Sequence, residues 1–419
     1  MKEFASIEKN PFKGLEHKTK GDKVIWAAVV VLALVSLLVV YSSTGTLAYR
    51  LSKSNESYLF KQIAFIGIGI MIIYFLHKVN YNIYSRVARL LFILSIPLLI
   101  YTLFFGVRLN EGSRWIKLPI IQMTMQTSDL AKLALFMYLS RLLSKRQDVI
   151  KDFRKGFLPV IIPVALICIL IAPANLSTAL LIGATSMLIM FIGRVSTKHL
   201  LLIVGVTLIP VMILISAAVI HHKQNGGETI KTESHSKLFA RVDTWINRVE
   251  NFIYGGTDAD DQDNYQVNQA KIAIAKGGWL GVGPGNSEQR NFLPHPYSDF
   301  IFAIIIEEYG LAGGVFITFI YLVFLYRCIR IYRRCPFAFG AFLALALSFT
   351  LVIQALANMA VAVNLFPVTG VTLPLISMGG SSFIFTCIAI GIILSVATNV
   401  EKLEGNLQPV LNENQGDDK

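Results

Sequence analysis

The chain has 419 residues, of which 54% are hydrophobic and 15% charged, whereas a water-soluble domain usually carries about 25% charged residues. A formal net charge of +12 could suggest a nucleic-acid partner. The Lys and Arg residues instead fall in short clusters between apolar runs, which is the topology signal of a membrane protein and argues against nucleic acid. Runs near 20 residues, about the length that crosses a bilayer core, recur along the chain, so the expected fold class is an all-α polytopic membrane protein.

A basic tail, residues 1–23, precedes the first apolar run at Val24. No small-residue cleavage site clearly follows that run, which reads as a retained span rather than a signal peptide. Ten transmembrane helices are expected over roughly 24–43, 58–76, 90–107, 129–143, 157–173, 176–193, 200–220, 299–325, 337–363 and 382–399, a membrane domain of 24–399. The tail holds Lys2, Lys9, Lys13, Lys18, Lys20 and Lys23, and every second connection is basic: Lys78 and Arg86; Lys145, Arg146 and Lys151; Arg194 and Lys198; Arg327 to Arg334. These clusters mark the cytoplasmic side, so both termini are expected there.

The long extracytoplasmic loop 221–298 then lies between helices 7 and 8. Within it, Leu238, Val242, Trp245, Ile246, Val249 and Ile253 recur at helical spacing. That pattern fits an amphipathic helix, either on the membrane surface or packed on the protein's own spans. The flanking polar runs, HHKQNGGETIKTESHSK and GGTDADDQDN, are expected to be mobile. Residues 400–419 read as a polar cytoplasmic tail, expected to be disordered. Cys168, Cys328, Cys335 and Cys387 show no metal-ligand or paired spacing and read as small buried hydrophobes.

Three features carry candidate chemistry. Asp299 stands where a polar loop turns into a long apolar run, with Glu307 and Glu308 inside that run. Acids at membrane depth are costly and point to function, although an acid there could also simply start a helix. At about 100° per residue, Glu307 lies about 80° and Glu308 about 180° round the helix from Asp299, so one of the two is expected to pair with another span. In the fourth span Asp129 and Lys132 stand three residues apart on one face, either lining a wet cavity or forming a structural ion pair. Finally, GGWLGVGPG, from Gly277, offers glycines that could approach a phosphate, yet no strand precedes it and it lacks the spacing of a dinucleotide loop; a plain turn is the simpler reading.

Four outer segments together resemble the SEDS family (shape, elongation, division and sporulation proteins). They are GSRWIKLPIIQMTMQTSDLAKLAL from Gly112, APANLSTAL from Ala172, NYQVNQAKIAIAKGGWLGVGPGNSEQRNFLPHPYSDFIFAIIIEEYGLAGG from Asn264, and NLFPVTGVTLPLISMGGSSFI from Asn364. The chain departs from the family pattern at Thr127 for proline, Asp129 for glutamate and Asn175 for aspartate. LPHPYSDFIFA also lacks the family's Glu and His but keeps Asp299. GVGPGNSEQRNFLP and IIEEYG resemble the division-type members more than the elongation-type ones.

The resemblance implies a peptidoglycan glycosyltransferase that polymerises lipid II during division, with undecaprenyl pyrophosphate as leaving group. It implies Asp299 as the catalytic base, because a sugar hydroxyl is a poor nucleophile whose proton must be taken as the bond forms. Arg114 and Lys132, with Trp115 in the groove, are the favoured substrate-binding residues, and Gln126, Ser128 and Asp129 share their block. Other outer cations, Lys271 and Arg290, are candidates for the pyrophosphate. Ser377, Gly379, Gly380 and Ser381 are expected in the cavity wall, where irregular backbone at membrane depth is tolerated. A divalent cation, magnesium or manganese, is a candidate cofactor. The implied partners are undecaprenyl-linked glycan, a class B penicillin-binding protein that supplies transpeptidation, and other division proteins, at the septum of the inner membrane. A flippase for the lipid-linked precursor and a non-catalytic scaffold are the rival readings.

Overall fold

The computed structural model describes residues 21–44, 55–109, 112–117, 124–224, 245–246, 248–250, 252, 262–294 and 296–416. Helix α1 (Lys23–Ser43) begins at Asp22, whose Oδ1 accepts from the Val24 and Ile25 amides at 2.9 and 3.2 Å. Two of the donors that a helix start leaves unpaired are thereby answered. Helices α2 (Asn55–Leu76) and α3 (Tyr81–Phe105) lead into a three-stranded antiparallel sheet of β1 (Val107–Leu109), β2 (Gly112–Lys117) and β3 (Thr124–Gln126). This sheet lies largely within the connection 108–128 expected between the third and fourth spans. Strands of three to six residues are too short to show a clear two-residue period in sequence.

Next come α4 (Thr127–Lys145), α5 (Leu158–Ile171), α6 (Leu176–Ile192) and α7 (Thr197–Gln224), followed by α8 (Gln262–Gly277) in the long loop. The last three are α9 (Ile301–Arg334), α10 (Ala338–Ala362) and α11 (Ser381–Gly416). Eight described helices are long and apolar enough to cross a membrane: α1, α2, α3, α5 with the turn before it, α7, α9, α10 and α11. The polytopic helical class is therefore present, but the count of ten is not reached on length and apolarity. Of the other two expected spans, α4 carries Asp129, Lys132, Arg141 and Lys145, and α6 has 17 residues.

Helices α10 and α11 are the most enclosed and α7 the least. Apolar side chains such as Phe60, Leu90, Phe104 and Leu201 stay exposed, as a lipid-facing surface requires. Of the cysteines, Cys328 and Cys387 are buried and Cys168 and Cys335 half-buried, all with free thiols.

The disordered tail expected after Val400 gives way to a continuation of α11 to Gly416, with Arg334 paired to Glu404. Extending an existing helix avoids the cost of nucleation, which is why a polar sequence can follow. The amphipathic stretch 238–254 lies mostly outside the described residues; those described within it, 245–246, 248–250 and 252, are helical. The polar run 225–237 and residues 255–261 also lie outside them.

Helix α9 is broken at Gly310, where φ is 70° and ψ −175°. The Glu307 and Glu308 carbonyls freed by the break accept the amides of Val282 and Gly283 at 2.9 and 3.0 Å. Beyond the break, the Leu311 and Ala312 amides donate to the carbonyls of Gly278 and Trp279 at 2.9 and 3.3 Å. The glycine-rich run thus replaces the missing turn of helix, as buried backbone groups demand. Its glycines serve this close approach: a Cβ on Gly277 would stand 2.0 Å from the Ile306 carbonyl oxygen, and one on Gly310 2.2 Å from that of Trp279.

Candidate active site

The last turn of α10 sets the site. Asn364 adopts φ 59°, while Leu365 N donates to Ala360 O at 2.8 Å and Asn364 N to Val361 O at 3.0 Å. This is a helix stop with asparagine in the left-handed position. The chain then folds back as the loop 364–380, beneath which polar side chains from three helices hold four of its carbonyls. Asn358 donates to Val371 O at 2.7 Å, Gln354 to Thr372 O at 2.9 Å, Tyr321 to Pro374 O, and Ser36 to Ile376 O at 2.8 Å; Gln62 donates in turn to Ser36. Leu375 is buried at φ 64° within this loop, a strained setting for a residue other than glycine that persists only where its surroundings fix it.

Asp299 lies in the turn before α9 and is half-buried. Phe300, the next residue, holds the cap position of α9. Asp299 Oδ1 accepts from Ser298 Oγ at 2.9 Å. Three consecutive carbonyls of this turn are tied to the loop and to α10. Tyr297 O accepts from Met378 N at 3.0 Å, Ser298 O from Ser377 Oγ at 2.7 Å, and Asp299 O from Asn358 Nδ2 at 2.8 Å. Burial raises the Tyr297 phenol above its ordinary value, with Tyr58 and Asp299 nearby adding to the rise.

On the other side of the loop, Asp129 and Lys132 of α4 form an ion pair at 3.2 Å. Lys132 Nζ also donates to Gln354 Oε1 at 2.6 Å, while Asp129 Oδ2 is buried with no hydrogen-bond partner. A cleft of about 30 Å³ is lined here by Gln126, Asp129, Lys132, Gln354, Thr372 and Ser382. That volume suits a water or two rather than a sugar ring. Asp129 and Lys132 thus form an ion pair and also line the cleft.

Of the other candidates from the sequence, Gln126 lines this cleft. The Gln126 amide donates to Ser381 Oγ at 3.1 Å, and its side chain donates to Ser128 Oγ at 3.0 Å. Trp115 is half-buried and pairs with Gln126 across β2 and β3; Arg114 precedes it on β2. Ser377 fastens the loop, and Gly379 and Gly380, the latter at φ 50°, turn the chain into α11.

Other candidates sit elsewhere. Lys271 is exposed on α8, and Arg290 donates to Ser42 O and Oγ at 2.9 and 3.1 Å. Glu308 accepts from Ser42 of α1, meeting the expectation that one acid pairs with another span, while Glu307 accepts from Ser287 Oγ and the Glu288 and Gln289 amides. Among the described residues no three His, Cys, Asp or Glu side chains converge as metal ligands. A cation held by one carboxylate and substrate phosphates needs no such cluster, and Asp299 could supply that carboxylate. Sequence reasoning passed over Gln354 and Asn358, although amides inside an apolar helix are themselves a signal.

Fold and site together define a multi-pass helical membrane protein with a polar cleft beside the loop that joins α10 to α11. The FtsW/RodA/SpoVE family model, described as "Cell cycle protein", matches residues 22–402, and the chain belongs to this family, the SEDS proteins. It is 31% identical to "Stage V sporulation protein E" of Bacillus subtilis (strain 168), over 91% of this chain and 98% of that protein. It is 30% identical to "Probable peptidoglycan glycosyltransferase FtsW" of Geobacter sp. (strain M18), over 90% and 97%. Two solved structures share the fold. One, described under "Structural coordination of polymerization and crosslinking by a peptidoglycan synthase complex", aligns with a TM-score of 0.69 at 23% identity over 91% of this chain and 98% of that one. The other, the Rod shape determining protein RodA of Thermus thermophilus, aligns with a TM-score of 0.61 at 21% identity over 90% and 96%.

Proposed function

We propose that this chain polymerises lipid II into glycan strands at the outer face of the cytoplasmic membrane during cell division, releasing undecaprenyl pyrophosphate. What carries the reading is Asp299, a single carboxylate whose turn is bound through three carbonyls to α10 and to the loop that walls the Asp129–Lys132 cleft. In this reading Asp299 takes the proton of the acceptor C4 hydroxyl as it attacks C1 of the lipid-linked chain. Lys132 and Arg114 stabilise the charge developing on the pyrophosphate, and Trp115 lines the groove beside them. A magnesium or manganese ion, if required, would meet the carboxylate of Asp299 and offset phosphate charge.

Peptidoglycan glycosyltransferase activity is supported by relatives bearing that name. The division role is supported by the relatives named FtsW and by the GVGPGNSEQRNFLP and IIEEYG segments. Ten crossings with both termini cytoplasmic follow from the Lys and Arg alternation. A class B penicillin-binding protein as partner, with other division proteins at the septum, is supported by the likeness to a complex whose title joins polymerisation to crosslinking. The test is the purified protein with its penicillin-binding partner in detergent, supplied with lipid II. Polymer from the parent protein and none from Asp299→Ala is expected. Undiminished polymer from Asp299→Ala would overturn the assignment, and lipid transfer across a bilayer without polymer would favour the flippase.

A further inference from the structure

Gln354 and Asn358 stand one helical turn apart on α10, a spacing that puts both on one face. Asn358 is 1% exposed and Gln354 7%. Asn358 spends both amide hydrogens on backbone carbonyls, that of Asp299 at 2.8 Å and that of Val371 at 2.7 Å. Its Oδ1 is buried with no hydrogen-bond partner. Gln354 uses both ends of its amide: Nε2 donates to Thr372 O at 2.9 Å, and Oε1 accepts from Lys132 Nζ at 2.6 Å. Two neighbouring amides on one rigid helix thus hold the backbone of Asp299, two adjacent carbonyls of the loop between, and the ammonium of Lys132.

We propose that Gln354 and Asn358 are positioning residues that fix the separation between Asp299 and Lys132, and so between the proton acceptor and the anion site; the proposal rests on the roles given to those two residues above. The chemistry of the two amides is directional. A donor is needed at Asn358, because both groups facing its Nδ2 are acceptors; an amide has two such hydrogens and a carboxylate none. An acceptor is needed at Gln354 Oε1, because an ammonium can only donate. A buried amide oxygen left unpaired on Asn358 is a cost that most buried polar groups avoid, which fits a side chain selected for where it holds its neighbours. A merely structural role would stitch α10 to the loop and lower stability when lost, without separating turnover from binding.

The pair makes that separation measurable. Asn358→Asp has the same shape but presents oxygens to the Asp299 and Val371 carbonyls, so the turn bearing Asp299 must shift. A displacement near 1 Å at a reacting group can cost about a hundredfold, so kcat should fall by about ten- to a hundredfold with KM for lipid II within about twofold of the parent. The acidic limb of the pH–rate profile should also move, because the carbonyl dipoles around Asp299 are rearranged. Gln354→Glu keeps an acceptor for Lys132 but adds a negative charge beside it. It should raise KM several-fold with a smaller loss of kcat.

The experiment measures polymerisation rates against lipid II concentration and pH for the parent, Asn358→Asp, Gln354→Glu and Asp299→Ala, each purified with the penicillin-binding partner. Thermal unfolding of the same samples is recorded alongside. If Asn358→Asp does not fold, Asn358→Ser, which keeps one short donor, replaces it, and the same split in kcat is expected at smaller size. Normal kcat and KM in both amide variants, with Asp299→Ala inactive, would overturn the positioning role and leave the catalytic reading intact. A loss that merely follows reduced stability, with an unchanged pH profile and no split between kcat and KM, would also overturn it. Activity in Asp299→Ala would instead remove the reading on which the proposal stands.

Discussion

Glu307 Oε1 lies 3.2 Å from the backbone amide of Gln289 and 3.1 Å from that of Glu288, so an acid of α9 caps a turn of the segment between α8 and α9. Glu307 is fully buried and also accepts from Ser287. Replacing it with Ala should leave these donors without their acceptor. Leaving one buried donor unsatisfied costs about 1–3 kcal/mol, so the unfolding midpoint of Glu307→Ala in detergent should fall clearly. Glu307→Gln keeps one acceptor oxygen and should fall less. Equal midpoints for parent and Ala variant would show that these bonds do not hold the loop.

Gly310 should tolerate no side chain. Its φ of 70° disfavours any Cβ, and a Cβ there would stand 2.2 Å from the Trp279 carbonyl oxygen. Gly310→Ala should reduce the folded fraction sharply, as judged by monodisperse elution and melting in detergent. Gly67→Ala, where no neighbouring heavy atom lies within 4 Å of the added Cβ, should behave as the parent. A Gly310→Ala protein as stable as Gly67→Ala would contradict the account of the break.

Asp299→Asn should preserve expression, melting temperature and partner binding while abolishing polymerisation, since an amide of the same size cannot accept the proton. Asp299→Glu should be nearly as damaging, because one methylene moves the carboxylate by roughly an ångström, a displacement worth about a hundredfold. Polymer yield at parent level from the Asn variant would remove Asp299 from the chemistry.

Lys132→Gln and Arg114→Gln should each weaken lipid II binding or turnover while the protein still folds. The effect at Lys132 should be the larger in stability too, because its loss leaves the buried Asp129 carboxylate without its cation. Normal rates in both variants would move the anion site elsewhere, toward Lys271 on α8.

Cysteine introduced at Ser234 should react with an impermeant reagent added outside intact cells, and cysteine at Ser144 should not. The opposite pattern would reverse the orientation and put Asp299 on the wrong face for a lipid-linked substrate.

The helices were legible because their apolar runs are long. The first run, read from Val24, is α1 from Lys23, and the run ending near Val363 is α10 ending at Ala362. The break at Gly310 was not, since a lone glycine inside an apolar helix is ordinary, and only the approach of the Gly277–Gly283 backbone gives it a purpose. Asp299, Asp129 and Lys132 were found because charge is conspicuous in an apolar chain. Gln354 and Asn358 escaped notice because neutral amides alter composition little and their partners are carbonyls, which every residue carries. The partner of Glu308 was likewise hidden, because Ser42 lies 266 residues away.

Helix α1 is fastened to α9 near both of its ends. At one end Asp22 meets Arg327 at 2.5 Å; at the other Ser42 donates to Glu308 and accepts from Arg290. The two attachments are separated by about 30 Å of helix at 1.5 Å per residue, close to the thickness of the hydrocarbon layer. The polar contacts therefore sit near its two boundaries, with apolar packing between them. The pair behaves as a strut spanning the bilayer, braced top and bottom.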